Sequence, residues 1–443
     1  MDHRVALLLA IFLAAFLLIG CGAKTPDYPY GDIQPVAQSV SSFAGGDRTL
    51  LSVHAQRAYA EAFDTRRFEP WQQTYEQNLS RLLWPWGVYT PKGGYGANKQ
   101  PLEPEWFDTL AANAQIGSYP NSDQRAITLR RVDLRNFPTQ EPYFRDFARA
   151  GEGFPFDYLQ NSTLHAMTPV RITHTSAYGD WLFIESDHAH GWVRPDAVAT
   201  LSPPVIEELM GAQVVAITQE SSRIYGLDGR FLFEADIGTL LFSTGQDASG
   251  WRLLAVVPNT LGEGVLEPAW LIGEAKRWPL SADKQTLSSL ADRMMGQRYG
   301  WGGLYGKRDC SALMRDLYTP IGRWLPRNSS QQAQAGERLD LTGLSAEERV
   351  ALIQTEGRPF MTLVHFPGHI GLYLGMEGGQ PLMLHSTWGH RTHARGQEGR
   401  LVIGQTVITT LKAGSGLHPE WPNGLIDRAT SLIYMDKGAY HGR

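Results

Sequence analysis

The chain of 443 residues contains two cysteines, and one of them, Cys310, lies in a stretch that could make it a nucleophile. It follows the glycine-rich run QRYGWGGLYGKRD, and the next residues, SALMRDLY, carry apolar side chains at helical spacing. We therefore expect Cys310 at the start of a helix, where the dipole favours a thiolate and lowers the thiol pKa. The glycines do not have the spacing of a phosphate-binding or dinucleotide-binding loop. The pattern predicts nucleophilic catalysis by a thiol.

A nucleophilic cysteine needs a general base, and two of the 13 histidines occupy suitable positions. His369 in GHIGLYLG and His385 in LMLHSTWG each lie in a segment with the alternation of a β-strand, and MEGGQP between them is rich in turn residues. A hairpin centred near Glu377 would place the two imidazoles opposite one another, roughly 5 Å apart at Cβ. One ring could then face the thiol while the other orients it.

Other histidines indicate weaker possibilities. His365 and His369 form an H-x-x-x-H pair, which on a helix would suggest zinc, although a Pro-Gly step between them breaks any helix. Zinc hydrolysis therefore stays open as a rival to the cysteine mechanism. His390 and His393 lie in WGHRTHARG, which we expect to be an exposed loop.

The N-terminus predicts export. Residues 5–20 are apolar over a length typical of a signal-peptide core and too short for a comfortable membrane span. The following Cys21 completes a sequence that resembles a bacterial lipobox. The resemblance implies a lipoprotein signal segment over residues 1–21, cleaved so that Cys21 becomes the lipidated N-terminus. A plain secretion signal with a chance cysteine is the alternative. Because exported proteins usually pair their cysteines, an unpaired Cys310 indicates a thiol that is used.

Composition is that of a globular protein, with 42% hydrophobic and 19% charged residues. A net charge of −5 without a long basic run argues against a nucleic-acid partner. We expect residues 22–115 to form a tether and a helical region, with a helical pattern from about 50 to 83 and loops after it. Residues 116–203 and 204–278 each hold short alternating strands broken by Gly, Pro and Asp, which is typical of a small barrel or sandwich. Residues 279–443 carry the candidate chemistry.

The blocks YGWGG, RDCSALMRDLY, LPRNSSQQ, GHIGLYLG and LMLHSTWG, in this order, resemble the NlpC-type papain-like cell-wall peptidases. The two β-rich segments before them resemble bacterial SH3-type domains, and the whole order resembles the subgroup of γ-D-glutamyl-diamino-acid endopeptidases. The resemblance implies an α+β fold, with a papain-like C-terminal domain after two SH3-like β-barrels and an N-terminal helical region. It implies no metal and no organic cofactor.

The resemblance also assigns roles. Cys310 becomes the nucleophile, His369 the base and His385 the orienting residue. Four more residues fall at substrate-contact positions: Tyr299, Asp309, Ser311 and Ser329. Two positions depart from the family pattern, with Ala312 in place of a glycine and Asn328 in place of an aspartate.

The implied reaction is hydrolysis of the γ-D-glutamyl–diamino-acid bond in peptidoglycan stem peptides that begin with a free L-Ala. A buried ammonium needs an acidic partner, for which Asp309 and, in the first barrel, Asp157 are the candidates. An amidase or acyltransferase on the same fold, and a wall-binding protein with an inactive domain, are the alternatives. The expected location is a membrane facing the periplasm or cell wall, reached through the lipid at Cys21. Gly22 favours the outer membrane if the source is Gram-negative.

Overall fold

The computed structural model describes residues 36–438 apart from 47–48, 73–75, 91, 150 and 249. The predicted leader and Cys21 lie outside the described residues, so lipidation stays a prediction. Over the described ranges, no helix is long and apolar enough to cross a membrane.

The described residues of the N-terminal region form three α-helices: α1 (Val53–Arg67), α2 (Leu79–Val88) and α3 (Pro104–Ala114). Ser52 caps the first of them by accepting a hydrogen bond from the Ala55 backbone N–H at 3.2 Å. The third corrects the expectation of loops up to about residue 115. Pro104 suits the first turn of a helix, and Phe107 and Leu110 are buried at helical spacing.

The first β domain is a seven-stranded antiparallel sheet with the order β3-β2-β6-β5-β4-β1-β7. Its strands are β1 (Gln124–Thr128), β2 (Val132–Arg135), β3 (Gln160–Leu164), β4 (Pro169–Thr175), β5 (Leu182–Glu185), β6 (His190–Val193) and β7 (Val198–Thr200). Trp71 of the N-terminal region joins it, because the indole Nε1 donates to the Ala126 carbonyl at 2.8 Å.

The second β domain follows helix α4 (Pro203–Gly211) and also has seven antiparallel strands. They are β8 (Gln213–Ile217), β9 (Ser222–Gly226), β10 (Phe231–Ala235), β11 (Leu240–Asp247), β12 (Gly250–Pro258), β13 (Gly264–Ile272) and β14 (Ala275–Arg277). Their order is β10-β9-β13-β12-β11-β8-β14, which is the order of the first β domain with each strand number raised by seven. The two domains therefore share one topology.

The C-terminal domain packs helices against a six-stranded sheet with the order β15-β20-β16-β17-β18-β19. The helices are α5 (Lys284–Met294), α6 (Cys310–Tyr318), α7 (Ser329–Gln332) and α8 (Ala346–Glu356). The strands are β15 (Glu337–Asp340), β16 (Thr362–Phe366), β17 (His369–Glu377), β18 (Gln380–Ala394), β19 (Gln397–Thr410) and β20 (Ser431–Tyr434). Leu313, Met314 and Leu317 of α6 are fully buried, which fixes the helix that begins at the cysteine. The mixed helix-and-sheet class is confirmed.

The glycine-rich loop before α6 packs against β3 of the first β domain. A Cβ at Gly302 would lie 2.5 Å from the Gln160 carbonyl oxygen, and one at Gly303 would lie 2.3 Å from Thr163 Oγ1. Both glycines have positive φ, +58° and +89°. The loop therefore uses glycine for close contact with the neighbouring domain as well as for its backbone conformation.

Arg308 connects the same segment to the second β domain. Its buried guanidinium donates to the Ile237 carbonyl at 2.7 Å and lies 3.1 Å from the Glu220 carboxylate. It also pairs with Asp316 of α6 at 2.7 Å. The residues just before Cys310 thus contact both β domains.

Candidate active site

Cys310 opens onto a cleft of about 1540 Å³ between the N-terminal helices, the first β domain and the C-terminal domain. Its lining includes Arg81, Tyr158, His188, Tyr299, Cys310 and Ser329. All three parts of the molecule therefore shape the space beside the thiol.

Cys310 is the first residue of α6, as the sequence predicts. Asp309 caps the helix, with Oδ1 accepting from the Ala312 backbone N–H at 2.8 Å. Because the contact uses a backbone N–H, alanine at position 312 supplies it as well as glycine would.

The predicted lowering of the thiol pKa is wrong. Burial raises the pKa of Cys310 to about 12, and the adjacent Asp309 carboxylate adds to the rise. Hydrogen bonds from the backbone at Ile370 and Ser311 and the charge of Arg327 oppose the rise but are outweighed. Cys310 does begin a helix, yet Asp309, which caps that helix, also puts a negative charge beside the sulfur.

His369 and His385 form a hydrogen-bonded pair. Nε2 of His369 lies 2.8 Å from Nδ1 of His385, and Nε2 of His385 lies 3.1 Å from Thr409 Oγ1. If His385 donates to Thr409, its Nδ1 accepts from His369, and Nδ1 of His369 is left unprotonated. Burial, with the charges of Arg428 and His390, lowers the pKa of His369 to about 3. The pair is therefore neutral at rest, with one basic nitrogen available for the thiol proton.

The two histidines meet diagonally rather than directly across the hairpin. The turn is the two-residue loop 378–379, and a bulge between Tyr373 and Gly375 shifts the register so that Leu372 pairs with Leu384. His385 is consequently level with Gly371, where a Cβ would come within 2.6 Å of Met383. The prediction of a hairpin centred near Glu377 is wrong by this shift. The missing side chain at Gly371 leaves room for the side chain of Met383 on the neighbouring strand.

His365 and His390 both lie within strands of the C-terminal sheet. His365 lies on β16, and its Nδ1 is 2.9 Å from Thr430 Oγ1. His390 lies within β18 and is only 8% exposed, which corrects the prediction of an exposed loop; His393 of the same strand is exposed. Within the described residues, no group of three or more His, Cys, Asp or Glu side chains could hold a metal ion.

Arg327 is a site residue that sequence reasoning missed. Its guanidinium pairs with Asp309 at 2.7 Å and donates to Ser311 Oγ at 3.0 Å. Its Nε donates to Ser162 Oγ of the first β domain at 2.7 Å. The sequence signal that pointed to Arg327 was its position in LPRNSSQQ, one of the blocks that carry the family resemblance.

The next residue, Asn328, caps α7 by accepting a hydrogen bond from the Gln331 N–H at 2.9 Å, so its amide oxygen does the capping that an aspartate would do.

Tyr299 lines the cleft near the thiol. Burial, with the negative charge of Asp309 and of Cys310, raises the pKa of the phenol well above its usual value. The hydroxyl therefore stays protonated and can donate a hydrogen bond. Ser329, at the first position of α7, also lines the cleft, and Ser311 is buried in it against Asp309.

Asp157 does not face the cleft, which corrects its place among the substrate contacts. Its carboxylate is buried, pairs with Arg135 at 2.7 Å and accepts from the Tyr143 N–H at 3.0 Å. The carboxylate of the first β domain that does line the cleft is Asp187, which sequence reasoning missed. It accepts from Trp324 Nε1 at 2.7 Å and lies 2.6 Å from His188 Nδ1.

Three family models match the chain. A model of the NlpC/P60 family covers residues 296–409, which include Cys310, His369 and His385. The C-terminal part of the chain is therefore an NlpC/P60 domain. A model of the N-terminal NLPC_P60 stabilising domain covers 10–119, and a model of an SH3 domain of the SH3b1 type covers 142–194. The SH3 match falls in the first β domain, and the SH3-type assignment of the second stays a prediction that its identical strand order supports.

Individual relatives agree with the family assignment. A γ-D-glutamyl-L-lysine dipeptidyl-peptidase of Bacillus subtilis (strain 168) is 33% identical over 154 residues, which are 32% of this chain and 49% of that protein. A probable endopeptidase of Corynebacterium glutamicum (strain R) is 28% identical over 121 residues, 26% of this chain and 52% of that one. The chain thus spans about half the length of these curated relatives.

The solved structure of an NlpC/P60 endopeptidase from Photobacterium damselae subsp. piscicida has a TM-score of 0.81 and 25% identity. The superposition covers 91% of this chain and 98% of that one. The likeness therefore extends over the whole domain arrangement and supports the predicted papain-like C-terminal domain.

Proposed function

We propose that the chain is a cell-wall cysteine peptidase that hydrolyses the γ-D-glutamyl–diamino-acid bond of murein stem peptides. The observation that carries the proposal is the hydrogen-bonded pair of His369 and His385, on the neighbouring strands β17 and β18, which pack against the capped helix that begins at Cys310. The name of the Bacillus subtilis relative, a γ-D-glutamyl-L-lysine dipeptidyl-peptidase, supports this class of bond.

The chemistry follows from the neutral resting state of the thiol and imidazole. The sulfur of Cys310 attacks the γ-carbonyl carbon while its proton passes to Nδ1 of His369. The Cys310 backbone N–H and the Tyr299 hydroxyl stabilise the oxyanion. His369 then gives the proton to the nitrogen of the leaving amine as the C–N bond breaks, which leaves a thioester. Water, deprotonated by His369, cleaves the thioester and restores the thiol.

The stem peptide is proposed to begin with a free L-Ala. The hairpin between β5 and β6 lines the cleft through Asp187 and His188, so the first β domain narrows the space for the acyl part of the substrate. Asp309 and Asp187 are two carboxylates of the cleft lining that supply negative charge there for an ammonium group. Both also have partners within the protein, Arg327 for the first and His188 for the second.

The test is product analysis by mass spectrometry with L-Ala-γ-D-Glu-diaminopimelate, its N-acetylated form and intact sacculus as substrates. We expect release of L-Ala-D-Glu from the free peptide and at least a tenfold slower reaction after acetylation. Cys310→Ala should leave less than about one part in a thousand of the activity. Cleavage by Cys310→Ala, or loss of activity on chelation with recovery by zinc, would contradict the thiol mechanism. Transfer of the acyl group to an added amine in preference to water would make the protein an acyltransferase.

Export and a lipid anchor at Cys21 form a separate proposal, which rests on the lipobox-like sequence. Cys21→Ser should move the protein from the membrane fraction to the soluble exported fraction. An unmodified residue 21 in membrane-extracted protein, found by mass spectrometry, would contradict lipidation.

A further inference from the structure

The outer half of the β18–β19 hairpin carries positive charge that the catalytic chemistry does not use. Arg391 on β18 and Arg400 on β19 are direct cross-strand partners. Like charges at such positions destabilise a sheet, because the side chains project from the same face a few ångströms apart. Within the described part of the chain, neither guanidinium forms an ion pair with a carboxylate, and the buried Nε of Arg400 has no hydrogen-bond partner.

Arg428 adds a third charge. It stacks over the ring of Trp421 at 4.7 Å and donates to the Pro367 carbonyl at 3.2 Å. Burial and the charge of Arg391 lower the pKa of Arg428, and burial, Arg391 and Arg428 lower that of Arg400. We call Arg391, Arg400 and Arg428 the basic cluster. Its members repel one another, so an anion bound among them would relieve the repulsion.

The basic cluster borders the catalytic residues. Arg428 bonds to the carbonyl two residues before His369, and its charge acts on that imidazole. Arg400 packs against Gly151 of the first β domain, where a Cβ would lie 2.0 Å from Nη2, and its charge acts on Tyr299. Arg428 is therefore near the base and Arg400 near the oxyanion donor, and none of the three arginines is among the residues that line the large cleft.

The direction of the reaction decides which part of the substrate meets these arginines. His369 delivers the proton to the departing amine, so the diamino acid leaves on the side of His369. The acyl part, L-Ala-D-Glu, occupies the large cleft on the other side of the thiol. Diaminopimelate carries a carboxylate at the end of its side chain, whereas lysine carries none.

We propose that the basic cluster is a subsite for the side-chain carboxylate of a leaving diamino dicarboxylic acid, which makes this chain selective for diaminopimelate over lysine. The inference rests on the proposed function and names the substrate that its site takes. Arginine suits the role because its guanidinium binds a carboxylate through two parallel hydrogen bonds.

The experiment compares kcat and KM for two tripeptides, L-Ala-γ-D-Glu-diaminopimelate and L-Ala-γ-D-Glu-L-Lys. The wild-type chain should favour the first by roughly tenfold to a hundredfold in kcat/KM, the value of one or two charge-assisted hydrogen bonds. Arg391→Gln with Arg400→Gln should raise KM for the diaminopimelate peptide by a similar factor and leave the lysine peptide unchanged. Arg400→Lys should restore part of the preference.

Arg395→Gln is the matched control, because Arg395 is an exposed arginine in the turn of the same hairpin. It should leave both peptides unaffected. The Tm of Arg391→Gln should equal or exceed that of the wild type, since the substitution removes a repulsion, and this separates lost binding from lost folding.

Equal wild-type rates on the two peptides, or equal losses on both in the double variant, would overturn the subsite and leave the proposed function intact. No Cys310-dependent cleavage of either peptide would instead overturn the proposed function, and the subsite with it.

Discussion

The two β domains have the same strand order, yet they contact the active site from different sides. The first contributes residues to the cleft and bonds to Arg327 through Ser162. The second holds Arg308 through the Ile237 carbonyl, and among the described residues that line the cleft none comes from β8 to β14. A shared topology thus carries two roles, because loops and surface side chains decide what each copy touches.

Substitutions in the two β domains should therefore have different consequences. Changes at the contact of the first β domain with the glycine-rich loop should alter turnover and substrate binding. Changes at the contact of the second should alter the stability of the C-terminal domain and leave the chemistry of the folded protein intact.

The distinction between the two β domains requires that the catalytic residues belong to the C-terminal domain. Substitution of these residues should therefore have the largest effect. His369→Ala should lower kcat about 10³-fold or more, because the base is lost, and His385→Ala should lower it less, because an orienting residue is lost. His365→Ala on the neighbouring strand is the matched control and should retain most activity. Steady-state kinetics on the diaminopimelate peptide measures all three, and a fully active His369→Ala variant would contradict the assignment.

The contact of the first β domain should give the next largest effect. Gly302→Ala places a Cβ 2.5 Å from the Gln160 carbonyl, so the loop that carries Tyr299 must move. We expect kcat/KM to fall roughly tenfold to a hundredfold, as misplaced catalytic groups cost that much. Gly296→Ala is the control, because Gly296 also has positive φ (+70°) but has open space around a Cβ. Equal effects of the two substitutions would show that backbone strain, and not the domain contact, is responsible.

The contact of the second β domain should affect stability. A Cβ at Gly238 would lie 2.6 Å from Asp316 Cγ, and the φ of +99° disfavours any other residue. Gly238→Ala should therefore lower the free energy of unfolding by about 2–3 kcal/mol, while kcat/KM well below the Tm stays near the wild-type value. Gly229→Ala, with φ +82° and open space, controls for strain alone. Thermal unfolding and kinetics are both needed, and a large loss of kcat/KM would remove the distinction between the domains.

The pH dependence of stability should give the smallest effect. Burial raises the pKa of Glu220 to about 7 from its ordinary value of 4.5, with Arg308 opposing the rise and Asp236 adding to it. The folded state thus binds this proton more tightly than the unfolded chain, so the contribution is complete below about pH 4.5 and is lost as pH rises through about 7. The wild-type Tm should fall by a few degrees between pH 5 and 8 for this reason. Glu220→Gln should remove that part of the fall, and the exposed Glu234→Gln should not.

Local patterns in the sequence predicted the helix at Cys310 and the strands that carry His369 and His385, because helical spacing and strand alternation depend on neighbouring residues. The register between the two histidines was not predictable, since a bulge after Tyr373 and the two-residue turn displace it. The thiol pKa was not predictable either, because it depends on burial by parts of the chain that are distant in sequence.

The predictions for His390 and Asp157 were wrong because the sequence around each residue did not reveal its burial. His390 lies among arginines and a histidine that suggest an exposed loop, whereas the hairpin continues as strand β18 to Ala394. Asp157 was a candidate in the first β domain because a buried ammonium needs an acidic partner. Its burial against Arg135 follows from the fold of β2 and the segment before β3, which no local pattern reveals.

The segment before Cys310 contacts both β domains, and this has a consequence for the order in which the enzyme folds. During synthesis the two β domains emerge before the helix that begins with the nucleophile, and domains fold as units from the N-terminus. Arg308 can bind the Ile237 carbonyl and the Glu220 carboxylate only after the second β domain has folded. The glycine-rich loop can likewise pack against β3 only after the first β domain has folded. The nascent C-terminal domain therefore acquires its active geometry last, by docking onto a finished template. A chain interrupted before that docking is complete would carry the cysteine and both histidines and still cut nothing.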